Sequence, residues 1–253
     1  MVPSKSLAVV LALLAGPVLA APAFAGTIHV AVAANVTEAA TEIAAAFAEK
    51  TGDEAVLSFG STGQLYAQIT QGAPFDVFLA ADTARPGQIL ADGLGVEGSR
   101  FTYAVGRLVL WSREAGMADG EAALKAADFD RIAICNPAAA PYGAAAVETM
   151  KALGVHEALQ PKIVEGANVA QAFQFVDTGN AEVGFVALSQ VIGRDDGSAW
   201  IVPQHLHAPI RQDAVVLKSA ADPRVAAAFA EFLKGPEAAA ILERFGYAAA
   251  GGG

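Results

Sequence analysis

Small and hydroxyl-bearing residues follow four predicted strands, at the points where the chain turns into a helix. Two of these junctions are residues 33–37 (AANVT) and 60–64 (GSTGQ), and the other two are residues 136–143 and 165–170. Ser, Thr and Asn are good helix caps, and Gly lets a ligand approach the backbone closely. None of the four segments contains Arg or Lys.

The chemistry that these junctions can support is anion binding. The first turn of a helix leaves N–H groups without intrahelical partners, and the positive end of the helix dipole lies there. Ligands of open α/β sheets bind beyond the carboxyl ends of the strands, so the four junctions can face one cleft. Each junction alone is typical of an ordinary cap, whereas the four together indicate one buried site. Neutral donors suit a small, fully deprotonated oxyanion and disfavour hydrogen phosphate, whose proton needs an acceptor.

The composition excludes several other kinds of partner. The 253 residues are 54% hydrophobic and 17% charged, which is typical of a globular chain and not of a disordered one. The formal net charge of −10 argues against a nucleic-acid surface and against binding to an anionic membrane. An acidic molecule can still bind an anion, because N–H dipoles act locally while the distant surface stays negative. The single cysteine, Cys135, allows no internal disulfide.

Strands and helices alternate along most of the chain. This alternation predicts α/β sheets that are mostly parallel and carry helices on both faces. The shorter predicted strands lie at 27–33, 55–59, 76–80, 131–135, 163–164 and 183–187. The clearest helical spacings lie at 39–47, 143–153, 169–177, 222–234 and 236–245.

Two longer strand-like runs, at 101–111 and 210–217, bracket a middle block of the chain. They favour two α/β lobes that are joined by two crossing strands. We therefore predict a discontinuous lobe 1, formed by residues 26–107 plus 207–253, and a lobe 2, formed by residues 108–206. A single continuous α/β domain is the alternative.

Residues 1–25 have the features of a secretory signal peptide. Lys5 precedes an apolar run from Leu7 to Leu19, which is too short to span a bilayer comfortably. Residues 23–25 (AFA) then fit a small-x-small cleavage pattern. We predict cleavage before Gly26 and a soluble periplasmic protein without direct membrane insertion. No cysteine follows the cleavage site, so we expect no lipid anchor.

Several segments together resemble the periplasmic molybdate-binding proteins of ABC transporters. The resemblance implies a two-lobed type II periplasmic-binding-protein fold that holds molybdate or tungstate between the lobes by neutral hydrogen-bond donors. It also implies delivery of the anion to an inner-membrane ABC permease, without a cofactor and without a protein ligand to the molybdenum atom. We expect a monomer. The similar segments are residues 33–35, 59–63, 72–82, 136–137, 141–143, 183–186 and 233–236.

The resemblance also implies which residues hold the anion. Asn35 stands where many members have Ser, and Tyr142 stands where some members have Ala and contribute a backbone N–H. Many members have Tyr after the strand at 183–186, where this chain has Ala187. Tyr142 is therefore a candidate to supply the missing hydroxyl. The residues carried over by position are Ala34, Asn35, Ser61, Thr62, Tyr142 and Val169.

Two alternatives remain open from the sequence. The same fold can serve another oxyanion, such as sulfate, thiosulfate or phosphate. A secreted enzyme that uses Ser61 or Cys135 together with a histidine is the other alternative. Residues 60–63 do not have the nucleophile-elbow spacing of a hydrolase, and we expect a binding protein and not an enzyme.

Overall fold

The computed structural model describes residues 25–248 as alternating strands and helices. Residues 1–24 of the predicted signal peptide therefore lie outside the described residues. The strands are β1 (Thr27–Ala33), β2 (Glu54–Gly60), β3 (Val77–Leu79), β4 (Phe101–Gly106), β5 (Leu108–Ser112), β6 (Ile132–Cys135), β7 (Ile163–Gly166), β8 (Val183–Ala187), β9 (Ser198–Ile201) and β10 (Ile210–Val216). The α-helices are α1 (Thr37–Thr51), α2 (Thr62–Thr70), α3 (Ala84–Ala91), α4 (Gly120–Ala126), α5 (Pro141–Ala152), α6 (His156–Leu159), α7 (Val169–Asp177), α8 (Pro223–Lys234) and α9 (Pro236–Arg244).

The strands form two five-stranded sheets of related design. In the first sheet the order is β2-β1-β3-β10-β4, and β1 runs parallel to β2 and β3. In the second sheet the order is β7-β6-β8-β5-β9, and β6 runs parallel to β7 and β8. The two remaining strands of each sheet are antiparallel to their neighbours. Each sheet therefore combines three parallel strands with an antiparallel edge, which refines the prediction of mostly parallel sheets.

The chain passes between the sheets twice. β4 ends at Gly106 and β5 begins at Leu108, so a single residue, Arg107, separates the two sheets on the first passage. The prediction of one continuous strand over 101–111 was wrong, because the run contains two strands that belong to different sheets. The return passage covers residues 202–209, and β10 then pairs antiparallel with β4. The antiparallel edge follows from this route, since the returning chain enters the first sheet in the direction opposite to the strand by which it left.

The first sheet is covered by helices on both faces. Ile28, Val30 and Val32 alternate along β1 and contact a core formed with α1, α8 and α9, in which Phe47 and Phe229 meet edge to face at 5.2 Å. Ala31 points to the other face, toward residues of α2 and α3. The second sheet has its own core, which includes Trp111. Strands buried on both faces read as nearly continuous apolar runs, as the sequence showed.

Four elements were not predicted from the sequence. They are α3, α4, α6 and β9. α3 contains the helix breakers Pro86 and Gly87, and β9 is a strand of four residues that follows a polar turn. β1, β8 and α7 have the predicted limits. No helix among residues 25–248 combines the length and apolar character needed to cross a bilayer.

Candidate functional site

All four predicted junctions line one cavity where the two sheets face each other. The space between these segments is small and partly open to solvent. Its lining includes all six residues that the resemblance assigned to the anion, so the structure brings them together. The lining residues are Ala33, Ala34, Asn35, Gly60, Ser61, Thr62, Ala81, Ala140, Pro141, Tyr142, Asn168 and Val169.

Ser61 is the buried N-cap of α2. Its Oγ accepts the Gln64 backbone N–H at 3.3 Å, and Gln64 Oε1 accepts the Ser61 backbone N–H at 3.3 Å. This reciprocal capping box fixes the start of the helix. Because Ser61 Oγ acts as an acceptor in the cap, its own O–H is left to donate to a ligand.

Thr62 is the first residue of α2 and is 1% exposed. Its Oγ1 accepts the Ala81 N–H at 3.0 Å, which ties the start of α2 to the segment after β3. A β-branched side chain is stiff about its first torsion angle. The Thr62 hydroxyl is therefore held in one place, with its proton available for donation.

Asn35 lies in a short 3-10 turn, Ala34–Val36, between β1 and α1. Its amide nitrogen, Nδ2, donates to Gln212 Oε1 at 2.9 Å and to Tyr247 Oη at 3.1 Å. Both amide hydrogens are thus used inside the protein. The side chain fixes the turn, and the group that the turn can offer to an anion is its main-chain N–H.

Tyr142 lies in the first turn of α5, directly after Pro141. Its Oη lies 3.4 Å from Gln212 Nε2, which donates to it. The phenol also reaches the strand end so closely that a Cβ on Gly106 would lie 2.1 Å from Oη, so only glycine fits there. The structure places the hydroxyl against Gln212 as an acceptor, and the backbone N–H of Tyr142, in the first turn of α5, has no intrahelical acceptor.

Val169 is the first residue of α7, and Asn168 is the N-cap. Asn168 Oδ1 accepts the Gln171 N–H at 3.0 Å, and Val169 O accepts a hydrogen bond from Gln190 Nε2 at 3.3 Å. These bonds fix the first turn of α7 at the cavity wall. Its leading N–H groups have no intrahelical acceptor and can serve a ligand.

The described residues that line the cavity include no charged side chain. Arg85 is not among the lining residues, but it lies close to the start of α2. A Cβ on Gly63 would lie 3.1 Å from Arg85 Nη2. Arg85 forms an ion pair with Asp82, so its charge is compensated. The attraction for an anion therefore comes from N–H and O–H donors and from helix dipoles, without a facing cation.

Hydrogen bonds join the two sides of the cavity directly. The Gly63 N–H donates to Ala139 O at 2.8 Å, and Arg85 Nη2 donates to Ala138 O at 2.8 Å. Ser189 Oγ donates to Asn35 O at 2.8 Å. Each bond connects a segment of the first sheet with a segment of the second, so the structure is closed around the cavity.

A buried polar network beside the cavity was not predicted. Tyr103 Oη donates to Gln212 Oε1 at 3.0 Å, and Tyr247 Oη donates to Asn35 O at 2.6 Å. Burial raises the pKa of Tyr247 to about 12 and the pKa of Tyr103 and Tyr142 well above the usual value, so these phenols stay protonated at neutral pH. The one sequence signal was Gln212 itself, an uncharged polar residue within a predicted strand.

Two other residues singled out in the sequence lie outside the lining. Cys135 is 1% exposed, and burial raises the pKa of its thiol to about 12, so it is not a thiolate near neutral pH. Ala187 is fully buried and is not part of the cavity wall. Within residues 25–248, no group of three or more His, Cys, Asp and Glu side chains is placed to hold a metal ion.

Comparisons with known proteins agree along nearly the whole chain. A family model described as bacterial extracellular solute-binding protein matches residues 28–248. The chain is 54% identical over 240 residues to "Molybdate-binding protein ModA" of Rhodobacter capsulatus, covering 95% of this chain and 94% of that protein. It is 50% identical to the protein of the same name from Azotobacter vinelandii, covering 96% and 98%. The solved structure of the Azotobacter vinelandii periplasmic molybdate-binding protein aligns with a TM-score of 0.85 at 41% identity, covering 87% of this chain and 98% of that one.

Proposed function

The chain belongs to the family of bacterial extracellular solute-binding proteins, and from this premise we propose that it captures molybdate in the periplasm for an ABC transporter. The relatives at 54% and 50% identity, both named as molybdate-binding proteins, support this ligand. The observation that carries the proposal is the cavity in which four helix starts and two hydroxyls converge without a charged side chain.

The chemistry of this lining suits a tetrahedral dianion that carries no proton. Each hydrogen bond to a charged acceptor contributes about 1.5–3 kcal/mol. Each helix start adds about 0.3–1 kcal/mol, and up to ~2 kcal/mol when it is partly buried. A micromolar complex needs about −8 kcal/mol, which several such contacts supply even after the costs of association. No countercharge is required.

We assign the anion contacts as follows. Ser61 and Thr62 donate their hydroxyl protons, since the oxygens of both side chains accept protein N–H groups. The turn at Ala34 and Asn35 donates main-chain N–H groups, and so do the first turns at Tyr142 and Val169. Two of these contact groups follow strands of the first sheet and two follow strands of the second. The anion therefore bridges both sides of the cleft.

This bridging supports a mechanism of hinged closure. We propose that residues 26–107 plus 207–253 form one lobe and that residues 108–206 form the other. The lobes rotate about Arg107 and the return passage at 202–209, and the closed form docks on the permease. The protein acts as a monomer after its signal peptide is removed before Gly26, and it catalyses no reaction on its ligand.

Tungstate is the second expected ligand, because it has the charge and shape of molybdate and nearly the same size. Sulfate and thiosulfate are the alternative ligands. Sulfate shares the charge and tetrahedral shape of molybdate but is smaller. Discrimination against it depends on the size of the cavity, because hydrogen-bond donors alone do not distinguish the two anions.

The proposal is tested by calorimetric titration of the protein beginning at Gly26 with molybdate, tungstate and sulfate in separate runs. We expect tight one-to-one binding of molybdate and tungstate and weak binding of sulfate. Tight sulfate binding with weak molybdate binding would assign the protein to sulfur uptake. Absence of binding for all three anions would refute the site described above.

A further inference from the structure

Gln212 occupies a position from which it contacts both sides of the candidate site. It lies in β10 of the first sheet and is fully buried. Its Oε1 accepts from Asn35 Nδ2 at 2.9 Å, and its Nε2 donates to Tyr142 Oη at 3.4 Å. Asn35 belongs to a turn of the first sheet, whereas Tyr142 begins a helix of the second sheet. One side chain thus connects two separate parts of the cavity wall.

The backbone around Gln212 is shaped for this contact. The pairing of β10 with β4 is irregular between Gln212 and Asp213. An irregularity of this kind redirects a side chain out of the regular alternation of a strand. On the neighbouring strand, Gly106 provides the space, since a Cβ there would lie 2.6 Å from Gln212 Nε2 and 2.1 Å from Tyr142 Oη. The close approach of the amide to the phenol therefore requires glycine.

The polarity of the Gln212 amide is also determined by its neighbours. Oε1 also lies 3.0 Å from Tyr103 Oη, which shares its single proton between Gln212 Oε1 and Ala80 O at 3.1 Å. Tyr103 is itself outside the cavity lining. With two donors directed at Oε1, the amide nitrogen must face Tyr142. A buried amide costs free energy unless it is hydrogen-bonded, and here three of its hydrogen bonds are formed.

We propose that Gln212 is a positioning residue for anion binding, which sets the Asn35 turn and the first turn of α5 at the spacing that one oxyanion can bridge. This inference rests on the proposed function. Gln212 is not part of the cavity lining, so it acts through Asn35 and Tyr142 and not by contact with the anion. The hydrogen bond from the Gln212 side-chain amide to Tyr142 Oη connects the first sheet with the second. It requires the two sheets to be closed onto each other, so Gln212 also favours the closed arrangement.

The experiment is a double-mutant cycle on molybdate affinity, with calorimetry as the readout. Gln212→Met removes the amide at similar volume, and Tyr142→Phe removes only the hydroxyl. We expect Gln212→Met to weaken binding about tenfold to a hundredfold, by analogy with the loss found when a residue that orients a metal ligand is removed. We expect the double variant to bind no more weakly than Gln212→Met alone, because both changes remove the same link.

The matched control is Thr149→Val. Thr149 is a fully buried polar residue whose Oγ1 donates to Ala145 O at 2.8 Å within α5, away from the cavity. This variant should lower the melting temperature of the ligand-free protein without changing affinity. A Gln212→Met variant that loses melting temperature and keeps its affinity for molybdate would overturn the proposal. Additive losses in the cycle would also overturn it.

Tyr103→Phe keeps the test decisive if Gln212→Met does not fold. It removes one donor to Gln212 Oε1 and leaves the cavity wall unchanged. We expect several-fold weaker molybdate binding, and unchanged binding would contradict the proposal.

The wild-type titration separates the role proposed for Gln212 from the proposed function of the protein. If the wild-type protein binds none of the three oxyanions, the proposed function fails, whereas normal wild-type binding with unaffected variants refutes only the role of Gln212.

Discussion

Ser61 has two tasks, and the structure allows them to be separated by measurement. Its Oγ caps α2 by accepting the Gln64 N–H, while its O–H proton is left for a ligand. Loss of a serine cap costs about 0.5–2 kcal/mol of stability whatever the residue does for ligands. The effect of a Ser61 substitution on binding must therefore be compared with the effect of removing a cap from another helix.

We predict that Ser61→Ala weakens molybdate binding about tenfold or more, because a hydrogen bond to a charged acceptor is lost. Asp222→Ala is the control, since Asp222 caps α8 by accepting the Arg224 and Val225 N–H groups. Both variants should unfold at lower denaturant concentration. Only Ser61→Ala should change the calorimetric affinity, and equal affinities would mean that Ser61 serves α2 alone.

The sequence predicted the positions in the cavity wall better than it predicted what their side chains do. The wall residues lie at the end of a strand or in the segment that leads from it into the next helix, where local pattern is informative. The partners of Asn35 come from distant parts of the chain: Ser189, Gln212 and Tyr247 are 154, 177 and 212 residues away. Nothing in the local sequence around Asn35 indicates that its side-chain amide would be directed at Gln212 and Tyr247, or that its main-chain oxygen would accept from Ser189. For the same reason the orientation of the Tyr142 hydroxyl could not be derived.

At the scale of elements, α2 contacts the opposite side of the cavity through its backbone. Gly63, in its first turn, donates to Ala139 O at 2.8 Å. A Cβ at this position would lie 3.0 Å from Ala139 O and 3.1 Å from Ala139 Cα. Contacts of that length with backbone atoms force the two segments apart. A side chain at position 63 therefore opposes closure while leaving each sheet intact.

We predict that Gly63→Ala weakens molybdate binding without destabilising the ligand-free protein. Within a helix, Ala is favoured over Gly by about 0.5–1 kcal/mol, so stability in the absence of ligand should be equal or higher. Affinity should fall, because the closed form is strained. Urea unfolding and calorimetry on the same variant provide both values. A variant that loses stability but keeps full affinity would contradict this view of closure.

Strands and helices were predicted correctly where an apolar pattern was followed by residues typical of a helix start. The prediction failed at the first passage between the sheets, where one run contains two strands. The run at 101–111 is apolar apart from Thr102 and Arg107, so periodicity alone could not show that it divides at Gly106 and Arg107. The division arises because β4 pairs with β10 and β5 pairs with β8 and β9, which are contacts far apart in sequence. The type II fold itself was predicted correctly, as the match to a solved molybdate-binding protein confirms.

At the scale of the whole molecule, one carboxylate ties the beginning of the described chain to its C-terminal helices. Asp53 Oδ1 accepts the Gly26 N–H at 2.8 Å, and both Asp53 oxygens accept hydrogen bonds from the Arg224 guanidinium. The hydrogen bonds from Arg224, followed by the one from Gly26, hold the pKa of Asp53 below its ordinary value of 3.8. A lowered pKa means that the folded state favours the charged form.

We predict that Asp53→Asn destabilises the protein near neutral pH and that this loss becomes smaller in acid. The stabilisation by charged Asp53 is fully present above its ordinary pKa, and it vanishes as the pH falls through the lower pKa of the folded state. Urea unfolding at about pH 7 and about pH 3 measures the difference. Glu231→Gln, which breaks the exposed pair with Lys234, should show little effect at either pH. A constant difference between Asp53→Asn and wild type would exclude the charge as its cause.

The acidic surface and the neutral site act on an approaching anion at different distances. Removal of residues 1–25 removes only Lys5 from the charged residues, which leaves 15 basic and 26 acidic side chains. A dianion is therefore repelled by the molecule as a whole until it reaches the N–H and O–H donors of the cleft. The Debye length falls from about 30 Å at 0.01 M salt to about 8 Å at 0.15 M. Salt thus weakens the repulsion without screening the enclosed donors to the same degree.

We predict that the association rate of molybdate rises with potassium chloride between these concentrations, whereas the dissociation rate changes little. Stopped-flow fluorescence of the two tryptophans, Trp111 and Trp200, can follow both rates. Glu97→Lys, at an exposed loop position, makes the molecule less negative and should flatten the salt dependence. An association rate that falls with salt would show that positive charge steers the anion, and Arg85 beside the start of α2 would then be the side chain to substitute first.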